Sequence, residues 1–333
     1  MTSSNRLRIC CIVPAYNRAH LINEALDSVT AQTRSVDEVV VVDDGSTDKT
    51  VEVIEKWGES AGIPFRLLRQ SNRGAAAARN TAIRATDAEL IAPLDSDDVW
   101  VPEHVEVLEN AFIQHPELVV SAGNTDRLDS LPFFKRNAYG EELFTQVEYD
   151  ELQDGLRIIR GSAFKSLLKG AYIQTASCVF RREPACSVGL FDETLRSYED
   201  QLFFLRMSRM GPFGLYMAPV TLLRKHDDNT THRRHIASHI VCAISALEKA
   251  RDDATSLNLE PDELAALQET LDSKIGNATE RASRYGMHPL WTVSKELFRR
   301  GYRQSLFNPK PFVRAMIYPR GDRGKLQQNV GKS

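Results

Sequence analysis

Two short acidic motifs, each placed directly after an apolar run, constrain the fold of this chain more than any other feature. Asp43-Asp44-Gly45-Ser46 follows the valines at 39–42, and Asp95-Ser96-Asp97-Asp98 follows the apolar run 90–94. Apolar runs of this length are typical of buried strands. Open α/β sheets bind ligands at the carboxyl ends of their strands. The two motifs therefore predict a site that holds a nucleotide together with a divalent cation.

Strands and helices are predicted to alternate along the first third of the chain. Apolar runs predict strands at 8–14, 38–42, 65–68, 89–94 and 118–121. The segments between them carry apolar residues at helical spacing or, at 74–85, are rich in alanine. This alternation predicts an α/β fold with a parallel sheet and helices on both faces.

The pattern dissolves between Asn124 and Gly170, as is typical of long functional loops. It returns beyond them, with strands predicted at 171–180 and 219–223 and a helix at 199–210. After His235 the chain is predicted to be mainly helical.

Composition excludes several classes of protein. Of the 333 residues, 42% are hydrophobic and 26% are charged, and the formal net charge of −3 gives no sign of a nucleic-acid partner. The five cysteines lack metal-like spacing, so we expect reduced thiols in a cytosolic protein. The polar start of the chain predicts no signal peptide. No apolar run approaches the roughly 20 residues that a membrane helix needs.

Positive charge is concentrated at the end of the chain. From Arg299 onward, nine Lys and Arg residues stand against one acid, Asp322. Apolar residues lie among these cations, namely Leu306, Phe307, Phe312, Val313, Met316, Ile317 and Tyr318. Such a segment is typical of peripheral contact with an anionic membrane surface. A solvated or packed terminal segment is the alternative.

Asp44 is the candidate for contact with a nucleoside, because an acid at a strand end can accept hydrogen bonds from a ribose or a base. The alternative is an Asp-Gly turn followed by a helix cap. A glycine-rich fingerprint is missing after the first strand, where Pro14-Ala15-Tyr16-Asn17 stands. A plain dinucleotide dehydrogenase is therefore disfavoured.

Asp95 and Asp97 are the candidate metal ligands. Residues i and i+2 point to one side of an extended chain, and two carboxylates so placed can bind a hard cation. That cation can neutralise a diphosphate leaving group. Ser96 lies between them, and Asp98 adds a negative charge that is costly without a cation. The alternative is a solvated acidic loop that caps the helix at Pro102.

The segment between the two acidic motifs offers further contacts for a nucleotide. At Asn72-Arg73-Gly74 the glycine permits close approach to the backbone, and Arg79 can contact phosphate or ribose. No Gly-Lys-Ser/Thr follows, so this is not a P-loop. The alternative for Arg79 is a surface arginine near a helix N-terminus.

Two further candidates lie in the second half of the chain. Asp200 shares a helical face with Phe203, Phe204 and Met207, so its carboxylate is expected to point inward and is a candidate general base. The alternative is a capping box formed by Ser197-Tyr198-Glu199-Asp200. His226, beside two acids, can join a metal site or contact a diphosphate, although a loop histidine is the alternative.

Taken in order, these residues resemble the family 2 glycosyltransferases, which have the glycosyltransferase A fold. The resemblance is strong over residues 7–125, fair to about 230, and fades beyond. The segments that carry it are Val13-Pro14-Ala15-Tyr16-Asn17, Gln32-Thr33, Val42-Asp43-Asp44-Gly45-Ser46-Thr47-Asp48, Gly74-Ala75-Ala76-Ala77-Ala78-Arg79-Asn80, Asp95-Ser96-Asp97-Asp98 and Glu199-Asp200.

The resemblance implies an inverting transfer of a sugar from a nucleoside diphosphate sugar, most often UDP-linked, to a saccharide or lipid-linked acceptor. It places the Pro14-to-Asn17 segment beside the base and Asp44 on the uracil or ribose. It assigns ribose and Mn²⁺ or Mg²⁺ to Asp95 and Asp97, and deprotonation of the acceptor to Asp200 beside Glu199. The acceptor-side strand of the family corresponds to Gln174–Cys178, so Thr175 and Ser177 are candidate acceptor contacts. An ordinary core strand is the alternative there.

The resemblance also implies a division of the chain. Residues 1–125 form a nucleotide-sugar-binding half, 126–234 an acceptor-side half of the same catalytic domain, and 235–333 a helical extension with the basic tail. The Gln-x-x-Arg-Trp motif of processive members is missing, which favours a single-addition enzyme. The resemblance implies a role in bacterial surface polysaccharide or glycan synthesis. We expect it in the cytoplasm or at the inner face of the membrane, alone or as a homo-oligomer.

Two rival functions use similar residues. A sugar nucleotidyltransferase usually carries a Gly-rich, basic loop after the first strand, for which Pro14-Ala15-Tyr16-Asn17 is a poor match. A catalytically silent module that binds a sugar nucleotide for an assembly complex is disfavoured by the intact Asp95, Asp97 and Asp200. Turnover separates the enzyme from the silent module.

Overall fold

Parallel strands form one half of the sheet in this computed structural model. Strands β1 (Ile9–Ala15), β2 (Glu38–Asp43), β3 (Phe65–Arg69) and β4 (Leu90–Pro93) lie in the order β3-β2-β1-β4. All three pairings are parallel, as the alternation predicts. The structure describes residues 6–128, 148–152, 155–168, 173–224, 233–303 and 310–317.

Four helices connect and follow these strands: α1 (Ile22–Thr30), α2 (Thr50–Gly58), α3 (Ala75–Ala85) and α4 (His104–Gln114). In α1 the buried residues recur at i, i+3, i+4 and i+7, so one face of the helix packs on the sheet. Every residue of β1 is buried, because β1 lies inside the sheet and helices cover it.

The second half of the sheet adds antiparallel strands to the predicted parallel core. Strand β9 (Cys178–Arg181) runs antiparallel between β4 and β6 (Val120–Arg127). Strand β10 (Phe213–Leu223) is parallel to β6 and antiparallel to the two-residue strand β5 (Val99–Trp100). Apolar periodicity reports the burial of a strand and not its direction, so the sequence pattern could not reveal the reversal.

An antiparallel hairpin completes the sheet beyond β10. It consists of β7 (Tyr149–Glu151) and β8 (Leu156–Ile159), and β8 pairs with β10. The short helices α5 (Phe164–Leu168) and α6 (Arg182–Ser187) flank β9 in the sequence. The hairpin and α5 lie within 124–170, so they correct the prediction of a long irregular loop in the described part of that segment.

Helix α7 (Glu199–Met207) is fixed by an aromatic cluster. Phe203 stacks on Phe191 with ring centroids 4.2 Å apart, and Phe180 contacts Phe203 edge-on at 5.1 Å. All three side chains are buried, so α7 is anchored by large apolar contacts. This anchoring sets the position of the carboxylates at the start of α7.

The chain divides into two compact units, one formed by Met1–His226 with Ala254–Leu259 and the other by Asp227–Asp253 with Glu260–Ser333. Assignment of donor and acceptor halves within the first unit stays a prediction. The second unit contains α8 (Ile236–Asp252), α9 (Pro261–Ser283), α10 (Met287–Arg299) and α11 (Lys310–Ile317).

Pro261 begins α9 as predicted, and a capping box of Glu260 and Glu263 satisfies backbone donors there. All five cysteines are free thiols, and Cys10 and Cys11 are fully buried in β1. Among the described residues, no helix combines the length and the apolar character needed to cross a membrane.

Candidate active site

Asn17, which is predicted to contact the nucleotide-sugar donor, joins the loops after β1 and β2 through hydrogen bonds. The side-chain oxygen of Asn17 accepts a hydrogen bond from the Thr47 N–H at 2.8 Å, and the Asn17 N–H donates to the Ser46 hydroxyl at 2.9 Å. Asn17 adopts a left-handed conformation with φ of 51°. Pro14 is buried within β1, whereas Tyr16 is 44% exposed. Tyr16 is therefore the member of this segment available to stack on a base.

Asp44 organises the loop that leads into α3. One carboxylate oxygen accepts hydrogen bonds from the Gln70 side chain at 2.7 Å and the Arg73 N–H at 2.9 Å, and the other accepts from the Gly74 N–H at 2.7 Å. Asp44 is buried and Asn72 is exposed. Asp44 thus brings the predicted donor-binding residues of the 70–74 loop to the end of β2.

Gly45 is required for this approach of two loops. Its φ is +79°, a left-handed conformation that glycine adopts without strain. A Cβ atom here would lie 3.0 Å from the Asn72 backbone nitrogen and 3.3 Å from the Gln70 carbonyl oxygen. The Asp-Gly turn suggested by the sequence therefore exists and also positions the next loop.

The Asp95-to-Asp98 loop is a tight turn tied to the end of β10. The Asp98 N–H donates to the Asp95 carbonyl at 3.0 Å, and the Asp98 carboxylate accepts from the Arg224 N–H at 3.0 Å. Arg224 also donates to the Asp97 carbonyl at 3.2 Å. Burial raises the pKa of Asp98 well above its usual range, and the charges of Asp95 and Asp97 raise it further. Three carboxyl groups thus lie close together in this loop.

Arg79 joins the two halves of the candidate site. Its guanidinium donates to Asp95 at 2.7 Å and to Glu199 at 2.9 Å, and it lies 5.5 Å from the ring centroid of Phe191. The residue is only 5% exposed, so the alternative of a surface arginine is wrong. The two carboxylates raise the pKa of Arg79 despite its burial. Although predicted as a donor contact, Arg79 is already engaged by acids from two distant motifs.

Asp200 lies in the first turn of α7, beside Glu199. Its carboxylate accepts a hydrogen bond from the Gln201 N–H at 2.8 Å. Tyr198, which precedes the helix, is left-handed with φ of 65°. No side-chain hydrogen bond caps this described end of the helix, which contradicts the alternative of a capping box. Burial and then the Glu199 charge raise the pKa of Asp200 to about 7, against the lowering influence of the Gln201 N–H and Arg79. A carboxylate with this pKa can accept a proton near neutral pH.

The predicted metal ligands fit a cation that is shared with a substrate. The described residues contain no group of three or more His, Cys, Asp or Glu side chains that could hold a metal. Asp95 and Asp97 could supply two carboxylates, and Mg²⁺ commonly takes its remaining ligands from substrate phosphates and water. Burial, and then the negative charges of Asp95 and Asp97, raise the pKa of the neighbouring Asp98, and a bound cation would relieve the repulsion among these acids. His226 lies outside the described residues.

Two arginines near the acidic loop were not singled out from the sequence. Arg18 lies 3.8 Å from the Asp97 carboxylate, and Arg224 holds the loop as described above. Neither lies in a periodic pattern or a recognisable motif, so their position near the acidic loop is evident only from the structure. Arg18 directly follows Asn17, and proximity to that motif was the one available signal.

Thr175 and Ser177, which are predicted to contact the acceptor, are buried in a turn that precedes a strand. Residues Thr175–Ser177 form a single 3-10 turn, and the strand begins only at Cys178, which corrects the prediction of a strand from Gln174. Ser177 is fully buried, and its hydroxyl donates to the Gln174 carbonyl at 3.0 Å. Thr175 and Ser96 are also buried, at 5% and 7% exposure. Nothing in these placements supports a contact of Ser177 with an acceptor.

Comparison with known proteins agrees with this fold. Residues 10–175, about half of the chain, match the family described as Glycosyl transferase family 2. The ends of β1, β2 and β4, which carry the candidate site, lie within this match. The chain belongs to glycosyl transferase family 2, an enzyme family of class EC 2.4, and has the glycosyltransferase A fold.

Curated relatives match parts of the chain. An uncharacterized glycosyltransferase of Nostoc is 39% identical over 106 residues, which cover 32% of this chain and 33% of that protein. One from Rickettsia bellii is 27% identical over 224 residues, which cover 67% of this chain and 30% of that protein. The chain thus spans about a third of the length of these two relatives.

Solved structures share the fold at low sequence identity. S. aureus TarS 1-349 in complex with UDP-GlcNAc has a TM-score of 0.55 at 18% identity. The match covers 89% of this chain and 92% of the TarS chain. The mannosyltransferase PcManGT of Pyrobaculum calidifontis, in complex with GDP-Man and Mn²⁺, has a TM-score of 0.55 at 21% identity, covering 94% of this chain and 87% of that chain. At these identities the likeness concerns the fold.

Proposed function

We propose that this protein transfers a sugar from a nucleoside diphosphate sugar to an acceptor hydroxyl, with inversion at the anomeric carbon. The observation that carries the proposal is the Arg79 bridge between Asp95 and Glu199, at 2.7 and 2.9 Å. It brings the predicted metal ligands and the predicted general base into one cluster, although they come from motifs about a hundred residues apart.

The donor lies along the ends of β1, β2 and β4 in this proposal. Tyr16 faces solvent beside the loop that Asp44 orders. In this proposal Tyr16, Asp44, Asn72 and Gly74 contact the nucleoside. UDP is the favoured nucleotide, because the TarS structures hold UDP or UDP-GlcNAc. GDP is the second choice, since PcManGT holds GDP-Man.

The chemistry follows from the placement of Asp200 beside the Arg79 cluster. Asp200 accepts the proton of the acceptor hydroxyl while that oxygen forms a bond to the anomeric carbon. The bond from that carbon to the diphosphate breaks on the opposite face, and the nucleoside diphosphate leaves with the electron pair. Mn²⁺ or Mg²⁺, held by Asp95 and Asp97, would neutralise the charge that develops on the leaving group. Positioning both substrates removes much of the entropic barrier.

The acceptor is proposed to be a saccharide or lipid-linked saccharide of a surface polysaccharide, and the enzyme to act in the cytoplasm. An acceptor hydroxyl must reach Asp200 at the start of α7.

Binding and turnover measured separately test the proposal. A thermal-shift panel of UDP-, dTDP- and GDP-sugars, with and without Mn²⁺, is expected to give a metal-dependent shift for one nucleotide. Asp97→Asn should lose the metal dependence, whereas Asp87→Asn, an exposed acid outside the site, should keep it. Release of nucleoside diphosphate with a mixed acceptor pool then measures turnover. Binding without turnover would identify a silent module, and no shift with any donor would remove the proposal.

A further inference from the structure

Exposed apolar side chains are concentrated near the end of the second unit. Trp291 is 65% exposed, Phe298 55%, Val313 54% and Met316 66%. Elsewhere in the described parts of the chain, no large apolar side chain is more than 50% exposed. Clusters of this kind are unusual on a surface that faces only water, and they mark contact surfaces.

Helix α10 carries its exposed aromatic residues on the same face as cations. Trp291, Lys295, Phe298 and Arg299 follow at i, i+4, i+7 and i+8, and all four are exposed. The opposite face is buried through Leu290, Val293 and Leu297. The helix therefore has a packed apolar face and an outer face that mixes aromatic rings with positive charge. That mixture is typical of helices that lie in a lipid headgroup region.

Charge on this part of the chain is strongly positive. From Met287 to the end there are ten Lys and Arg residues and two acids, Glu296 and Asp322. Two further acids of the unit pair with these cations, since Glu248 contacts Arg300 and Glu280 lies 3.5 Å from Arg314. Even with all four acids counted, the cations exceed the acids by six. This excess complements an anionic surface.

A groove adjoins the outer face of α10. It has a volume of about 460 Å³ and lies between α8 and α10. The lining residues from α8 are Ala237, Ser238 and Val241, and those from α10 are Trp291, Thr292, Lys295, Glu296 and Arg299. Small and apolar residues thus line the α8 side of the groove. The α10 side has an aromatic ring, the Lys295 ammonium group and the Glu296 carboxylate, which pairs with Arg299 at 3.0 Å. Such a lining suits a lipid headgroup whose phosphate meets Lys295.

We infer that the outer faces of α10 and α11 dock on a bilayer that contains anionic phospholipid. Trp291 and Phe298, with Val313 and Met316, enter the headgroup region, and the cations contact lipid phosphates. The surface lies within the second unit, and this inference does not depend on the proposed sugar transfer.

Vesicle binding by the full chain tests the surface. We expect the protein to sediment with vesicles of phosphatidylcholine and phosphatidylglycerol, not with phosphatidylcholine alone, and to be released by salt. Trp57 and Trp100 are buried, so a blue shift of tryptophan emission on binding reports on Trp291. Trp291→Phe should bind with little loss and without that shift.

Two double variants separate the apolar and the electrostatic contributions. Trp291→Ser with Phe298→Ser, and Lys295→Glu with Arg299→Glu, are each expected to weaken vesicle binding by about tenfold or more. The matched controls are Ile113→Ser, an exposed apolar residue of α4, and Lys56→Glu, an exposed cation of α2, which should bind as wild type. Far-UV circular dichroism checks that each variant is folded.

Three results would overturn the inference. These are the absence of vesicle binding, equal binding to neutral and anionic vesicles, and double variants that bind as tightly as wild type. Self-association that the double variants abolish, in the absence of vesicle binding, would instead assign the surface to contact between copies of the chain.

Discussion

The Arg79 guanidinium lies between the carboxylates of Asp95 and Glu199, at 2.7 and 2.9 Å, and a planar group with several fixed donors is needed to reach both. Arg79→Lys keeps the charge but can satisfy only one partner well. We expect turnover to fall by about 100-fold through misplacement of the carboxylates. Steady-state kinetics should show the loss mainly in kcat.

A matched control exists on the same helix. Arg84 is 59% exposed and pairs with Glu193, so Arg84→Lys should leave turnover unchanged. Equal effects of the two substitutions would show that the Arg79 bridge is not special.

Removal of the proposed base should separate chemistry from binding. Asp200→Asn keeps the size of the side chain but cannot accept a proton from the acceptor. Turnover is expected to fall by about 10²- to 10⁴-fold, with donor affinity by calorimetry unchanged. Glu183→Gln, on α6, is the control. An Asn variant with full activity would exclude the assignment.

The pH dependence of turnover should report on the same carboxyl group. Asp200 must be ionised to act, and its pKa is about 7. Activity should therefore rise with pH through this region and reach a plateau above it. Because Arg79 lowers this pKa, Arg79→Lys with a poorly placed charge should move the rise to higher pH. A profile that is flat between pH 5 and 8 would contradict this role.

The free energy of unfolding should fall as pH rises, whereas activity should increase. The pKa of Asp200 is higher in the folded chain than in the unfolded chain, so its contribution to stability is present below pH 4 and is lost as pH rises to about 7. Asp200→Asn removes this ionisation cost. Relative to wild type, the variant should melt at a higher temperature above pH 7, and the difference should shrink toward acid pH in thermal unfolding scans.

A substitution at Gly45 tests the contact between the two loops without replacing any side chain that is proposed to bind the donor or the metal. Gly45→Ala places a Cβ in a left-handed conformation and against Asn72, whereas Gly62→Ala meets a similar φ of +67° with nothing within 4 Å. Both should lose about 1 kcal/mol or more of stability from backbone strain. Only Gly45→Ala should also weaken donor binding, since it displaces the 70–74 loop. Equal donor affinity in the two variants would argue against this function of the loop.

Local patterns predicted much of the fold. The spacing of apolar residues identified α1 and the first four strands, and Pro261 marked the start of α9. The antiparallel direction of β9 and the 3-10 turn at Thr175–Ser177 were missed, because burial patterns carry no direction and short turns have little periodicity. The acids of the site were recognisable from their places at strand ends.

The partners of those acids were not predictable in the same way. The bridge from Arg79 to Glu199 joins residues 120 positions apart, and nothing in the local sequence of either residue specifies the other. Arg79 also lies 5.5 Å from the ring centroid of Phe191, another residue far from it in the sequence. Long-range ion pairs of this kind belong to the tertiary structure, whereas helix and strand signals are local.

The stack of Phe191 on Phe203 has a consequence for how this protein should respond to heat. Both rings belong to the core, yet one lies under Arg79 and the other is on the helix that carries Asp200. Loosening of this one contact would disturb the carboxylates while most of the sheet remained intact. We therefore expect activity to be lost at a lower temperature than the one at which the chain unfolds.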